Sequence, residues 1–97
     1  MKSLSQIKQI IKDCEPVLKE KYGVKNIGIF GSYTKGNAKK KSDVDILVEF
    51  NEPIGLFEFV ELENFLAEKI GINVDLVTKD GLKPAIGKRI HKEVSYL

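Results

Sequence analysis

Apolar residues near the start of the chain recur three or four positions apart: Ile7, Ile10, Ile11, Cys14 and Leu18. That spacing lays them along one face of a helix. Ser3 and Gln6 stand at capping-box positions and predict its start. Pro16 lacks an N–H donor and predicts a kink or split, and Gly23 predicts an end. The pattern then changes. Val24–Phe30 and Val44–Phe50 are short runs rich in β-branched and aromatic residues, which predict strands. Gly28, inside the first run, predicts close approach of another backbone. Pro53 and Gly55 break the chain before Leu56–Ile70, a helical pattern expected to place Leu56, Phe59, Val60, Leu66 and Ile70 on one side, with Gly71 as its C-terminal cap. Residues 72–77 predict a third strand. Asp80-Gly81 predicts a turn, and Pro84 opens a last helix striped by Ile86, Ile90 and Val94, with Leu97 near that stripe. The expected order is α-β-β-α-β-α, an α/β (α+β) fold with a small mixed sheet of about three strands flanked by helices. With 97 residues, no repeat and no long linker, the chain is expected to form a single domain, residues 1–97.

Charge and cysteine content remove several function classes. Sixteen basic and fourteen acidic residues leave a net charge of +2, so bulk charge does not argue for a nucleic-acid binder. The one cysteine, Cys14, cannot form an internal disulfide and is expected as a small buried hydrophobe. No cysteine spacing suits a metal. The first residues lack the apolar stretch of a signal peptide, and no run is long enough to span a membrane, so a cytoplasmic protein is expected. Lys39-Lys40-Lys41 is expected to be a solvated loop, because the aromatic interleaving of single-strand binders is absent. His91, the only histidine, is read as a surface or interface residue.

One stretch carries chemistry: "GSYTKGNAKKKSDVD", Gly31 to Asp45. Residues two apart on a strand point the same way, so Asp43 and Asp45 share a side while Ile46 and Val48 face the other. Two carboxylates ~4 Å apart repel by about 4 kcal/mol at an effective dielectric of ~20, before relaxation. A solvated pair tolerates this, as does a pair that shares a proton or binds a cation. A hard divalent cation turns the repulsion into coordination, and oxygen ligands suit magnesium. Asp75 stands in the middle of the third predicted strand, with Ile72, Val74 and Leu76 alternating to the opposite side. If that strand lies beside Val44–Phe50, Asp75 joins Asp43 and Asp45 on one face. Three such acids suit two magnesium ions in a phosphoryl-type displacement. Taken singly, Asp43 reads as a turn residue, Asp75 as an exposed strand position and Ser42 as ordinary loop chemistry; their joint occurrence shifts the reading. No Gly-Lys-Ser/Thr follows the glycines, which excludes a P-loop.

The stretch resembles the nucleotidyltransferase superfamily of polymerase β. That signature runs Gly-Ser, a short spacer often with a glycine, Asp-x-Asp on the next strand, and a third acid on a later one. The matching residues are Gly31, Ser32, Gly36, Ser42, Asp43 and Asp45, then Asp75. At roughly 6% per residue type, six fixed matches arise by chance on the order of 10⁻⁷ per start position or less. The leading helix, "VKNIGIFGS", "SDVDILVEF", "VDLVTKDGLKP" and "KRIHKEVSYL" extend the likeness to the minimal nucleotidyltransferase antitoxins over nearly the whole chain.

The resemblance implies transfer of AMP from ATP, with two magnesium ions, to an acceptor hydroxyl, and release of pyrophosphate. Minimal members are often encoded beside a small helical HEPN-type toxin and adenylylate a tyrosine on it. A HEPN-type toxin is therefore the expected partner, which makes a hetero-oligomer possible. By the same resemblance Asp43 and Asp45 ligate both ions, and Asp75 ligates the catalytic one and helps activate the acceptor. Gly31, Ser32, Lys35, Gly36 and Ser42 would surround the phosphates. Relatives commonly carry Ala-Arg before the glycine where this chain has Thr34-Lys35-Gly36. Lysine keeps the charge and loses the bidentate fork. Tyr33 stands beside the phosphate turn, either to stack on a base or to shield the turn. Two other functions fit the chain: a non-catalytic antitoxin that occludes its partner, and a small-molecule nucleotidyltransferase.

Overall fold

The computed structural model describes residues 2–36, 43–79 and 94–97. Helix α1 (Leu4–Asp13) starts at Ser3, which closes a capping box with Gln6: the Gln6 N–H donates to Ser3 Oγ at 3.2 Å and the Ser3 N–H to Gln6 Oε1 at 2.8 Å. Pro16 splits the expected long helix. A second helix, α2 (Glu15–Glu20), begins there, with proline in a first-turn position where no N–H is needed. Strands β1 (Val24–Phe30), β2 (Val44–Phe50) and β3 (Val74–Thr78), the long helix α4 (Leu56–Ile70) and a one-turn helix α3 (Ser32–Lys35) follow the patterns of the chain closely. The sequence pattern did not announce α3.

A fourth strand, β4 (Ser95–Tyr96), completes the sheet, whose order is β3-β2-β1-β4. β2 runs antiparallel to β1 and parallel to β3, and β4 runs antiparallel to β1. This corrects the reading of Val94 and Leu97 as part of a helical stripe. Ser95 pairs with Ile29 and Tyr96 with Gly28, and the Leu97 N–H donates to the Ile27 carbonyl at 3.1 Å. Gly28 makes the pairing possible. A Cβ there would lie 2.7 Å from Val94 Cγ2 and 3.1 Å from the Ser95 carbonyl oxygen. The expected Asp80-Gly81 turn and the positions Pro84, Ile86, Ile90 and His91 lie outside the described residues, as do Lys39 to Lys41.

The core fills one face of the sheet. Val44, Ile46 and Val48 of β2 and Ile29 of β1 are fully buried against Ile7, Ile11 and Leu18 from α1 and α2 and against Leu62, Leu66 and Ile70 from α4. Val74 and Leu76 of β3 join the same cluster, as the alternation of that strand requires. Cys14 is buried there as a free thiol. On α4 the packed positions are Phe59, Leu62, Phe65, Leu66 and Ile70. Leu56 and Val60, expected on the packed side, are 74% and 43% exposed. The first turn of α4 overhangs a groove beside the last residues of β2, so Leu56 has no sheet beneath it. Val60 follows Phe59 by about 100° around the helix and falls outside the buried stripe.

Candidate active site

The alternation that buries Val44, Ile46 and Val48 turns Asp45 to the opposite face of the sheet. Its neighbours on that face follow from register. Asp45 pairs with Phe30 of β1 on one side and with Asp75 of β3 on the other. The two acids are thus direct neighbours across a parallel ladder, as the sequence pattern anticipated. Parallel pairing begins with the Val44 N–H donating to the Asn73 carbonyl at 2.9 Å. Asp43 sits just before β2 and is exposed, Asp45 is half-buried, and Asp75 is exposed.

These charges feel one another. The Asp45 carboxyl is held above its ordinary value of 3.8, first by burial, then by the nearby charge of Asp75 and then by that of Asp43. No cation among the described residues neutralises Asp45. Nor do three such acids close on one point among the described residues, as a finished metal cage would. The arrangement is an open set of coupled oxygen donors at the sheet surface. Its chemistry fits a hard divalent cation, because added positive charge removes the repulsion that raises Asp45.

The turn after β1 is shaped around Asp45. Gly31 has φ +80° and ψ −148°, a conformation that L side chains rarely adopt. A Cβ on it would collide with the Asp45 carboxylate oxygen Oδ2. Gly31 is therefore required twice, for its backbone angle and for the space that Asp45 occupies. Thr34 locks the turn: its N–H and its hydroxyl both donate to the Gly31 carbonyl, at 3.1 and 2.8 Å. Gly36 ends α3 in the left-handed conformation at φ +76°, and its N–H donates to the Ser32 carbonyl. Ser32 is half-buried at the start of α3. Tyr33 is 7% exposed and packs in the core cluster, which identifies it as the side chain that anchors the turn, not one that stacks on a base. The Lys35 side chain and Ser42 lie outside the described residues.

Two residues that shape the site were not singled out by the sequence. Thr34 stands three positions after a turn glycine, a spacing from which a hydroxyl reaches back to the backbone, so its role could have been read. Glu63 on α4 accepts the Leu76 N–H at 3.0 Å and so holds the strand that carries Asp75. Its partner lies thirteen residues away across a helix-to-strand packing, and nothing local in the sequence signals it.

The parallel acid pair, the half-buried Asp45 and the glycine turn against it sit on a fold that nucleotidyltransferase domains share. The chain belongs to that family, which matches residues 7–97. It is an enzyme of the nucleotidyltransferase class that acts with a nucleotide substrate. It is 47% identical to a Methanocaldococcus jannaschii protein, over the whole of both chains. It is 46% identical to the protein adenylyltransferase MntA of Thermococcus cleftensis, over all of this chain and 98% of that one. Among solved structures, it superposes on a chain assigned as a minimal nucleotidyltransferase with TM-score 0.76 and 28% identity, covering 96% of this chain and 90% of the other. The fold is shared, at TM-score 0.69 and 20% identity, with a complex of a tri-AMPylated Shewanella oneidensis HEPN toxin and an MNT antitoxin, covering 93% of this chain and 70% of that one. No helix among the described residues is long and apolar enough to cross a membrane.

Proposed function

We propose that this protein transfers AMP from ATP to a tyrosine hydroxyl of a HEPN-type toxin and thereby acts as the antitoxin of that pair. The observation that carries this reading is the Asp45–Asp75 pair, adjacent in the parallel ladder and abutted by the Gly31 turn. Whole-length likeness to a protein named protein adenylyltransferase MntA supports a protein acceptor. Asp43 and Asp45 would hold both magnesium ions, and Asp75 would join them on the catalytic one. Held there, the ions would supply charge neutralisation at the phosphates and lower the pKa of the acceptor hydroxyl.

The chain's own groups do the rest. The Gly31 turn and the Ser32 hydroxyl receive the phosphates, and Gly36 lets the backbone leave the site without a side chain in the way. Lys35 and Ser42 are assigned to the same phosphates. The tyrosine oxygen bonds to the α-phosphorus, the bond to the bridging oxygen breaks, and pyrophosphate leaves with that electron pair. Asp75, exposed beside half-buried Asp45, faces the incoming hydroxyl and takes up its proton.

Calorimetry and mass spectrometry test this together. ATP should bind with magnesium and bind much more weakly in EDTA. Co-expression with the HEPN-type toxin should leave AMP adducts on toxin tyrosines. Equal affinity in EDTA would remove the metal assignment. A toxin that is bound and neutralised but never modified would remove the transfer.

A further inference from the structure

The most lopsided run of charge in the sequence follows the Asp45 strand rather than the Asp43–Asp45 turn. Residues 49–68 contain six glutamates and no lysine, arginine or histidine, in a chain whose net charge is +2. Within this acidic segment the start of α4 leaves three apolar side chains in water. Phe57 is 91% exposed, Leu56 74% and Val60 43%. An aromatic ring left almost wholly in water beside two further apolar residues is the mark of an interaction surface rather than of ordinary scatter. Leu56 and Phe59 also border a groove of roughly 610 Å³ that Val48, Phe50 and Ile54 line from the β2 end, with Lys79 on its wall paired to Glu49 at 3.8 Å. Glu52 and Glu58 flank this surface and have no ion pair among the described residues. The neighbouring Glu61 is already committed, to Lys21 at 2.8 Å and to the Tyr22 hydroxyl at 3.0 Å.

We infer that this face docks a basic amphipathic helix of the partner protein, with its apolar stripe over Phe57 and the groove and its lysines or arginines against Glu52 and Glu58. The inference rests on the proposed function for the existence of that partner. Charge decides the occupant. A helix laid in an apolar groove is held by anchors at helical spacing, and an acidic rim selects a basic flank. A second copy of this chain would bring the same glutamates against these ones.

The location has a consequence. Asp45 precedes Phe50 by five residues on one strand, a separation of about 17 Å at ~3.3 Å per residue. The docking face therefore lies at the opposite end of the strand from the carboxylates. A docked partner leaves the nucleotide end open, and docking governs how tightly the acceptor is held rather than the chemical step.

The test uses the whole chain with the HEPN-type toxin, measuring complex affinity and the kinetics of AMP transfer. Phe57→Glu should weaken the complex about 30-fold or more. It should raise KM for the toxin and leave kcat unchanged. Phe57 touches solvent almost everywhere, so a thermal melt should confirm an intact fold. Glu52→Lys combined with Glu58→Lys should also weaken association, most at low salt. Val17→Glu, an exposed apolar position on α2 at 39%, should bind as wild type. If Phe57→Glu binds the toxin as tightly as wild type, the docking face is wrong and the proposed function stands. If the isolated chain is an oligomer that Phe57→Glu dissociates, the occupant is a second copy and the inference is overturned. If wild type neither binds nor modifies the toxin, the proposed function falls and takes this inference with it.

Discussion

The two ends of β2 are unfinished in different ways. At the Asp45 end, like charges stand side by side on neighbouring strands, and burial together with two neighbours raises one of them. At the Phe50 end, the chain leaves apolar side chains in water above an open groove. Between them the strand is ordinary, with Val44, Ile46 and Val48 sealed in the core and no buried side-chain polar atom without a partner among the described residues. Repelling carboxylates are relieved by a small hard ion, whereas an exposed aromatic patch is relieved by another macromolecule. One strand thus carries two separate demands, and they need not be met by the same event.

The sharpest way to break this comparison is to remove the chemistry and keep the docking. Asp45→Asn combined with Asp75→Asn should lower AMP transfer by about 10³-fold or more, because losing the proposed ion ligation would cost roughly 4 kcal/mol and each 1.36 kcal/mol is tenfold in rate. Pull-down of the toxin should be undiminished, and intact mass spectrometry should show it unmodified. The double variant should fail to protect cells. If it protects as well as wild type, neutralisation occurs by occlusion.

The two positive-φ glycines that bracket α3 give a second, smaller comparison. Gly31 and Gly36 have nearly the same φ, +80° and +76°, but different surroundings. A Cβ on Gly31 meets the Asp45 carboxylate, while a Cβ on Gly36 meets nothing within 4 Å. Gly31→Ala should therefore cost about 3 kcal/mol from strained backbone plus displaced carboxylate. Its melting temperature should fall by more than ~10 °C, at about 4–8 °C per kcal/mol for a domain of this size. ATP binding should fail with it, since Asp45 moves. Gly36→Ala should cost about 1 kcal/mol, and ATP binding should largely survive. Equal losses in a melt would mean that the contact with Asp45 carries no weight.

These positions also show what the sequence disclosed. The Asp-x-Asp pair, the acid on a later strand and the glycine turn were legible because each depends on local spacing. The apposition of Asp45 and Asp75 was legible because alternation leaves each strand only one way to face a shared core. Other features resisted. Leu56 and Val60 satisfy a helical stripe, yet the stripe says nothing about where the sheet beneath it ends. The strand pairing of Ser95 and Tyr96 depends on a free edge next to Gly28, and the glycine signalled the approach without identifying the visitor. The link between Glu63 and Leu76 is purely tertiary.

The smallest predicted effect concerns the carboxylate end alone, without nucleotide or ion. Asp45 has its folded pKa above the ordinary value of 3.8, through burial, Asp75 and Asp43 in that order. The folded protein therefore binds the proton more tightly than the unfolded chain. Stability then falls as pH rises from about the ordinary value through the raised one, and the deficit is fully present at neutral pH. Asn at this position is neutral throughout and nearly isosteric. Asp45→Asn should raise the melting temperature of the ion-free protein at pH 7, and the gain should shrink as pH falls through the raised pKa toward 3.8. Asp43→Asn removes the weakest of the three causes and should give a smaller gain of the same sign. Melts in EDTA across this pH range measure both. A fall in stability for Asp45→Asn at pH 7 would mean that the carboxylate makes a native contact worth more than the repulsion it suffers, and that its end of β2 is already complete without a cation.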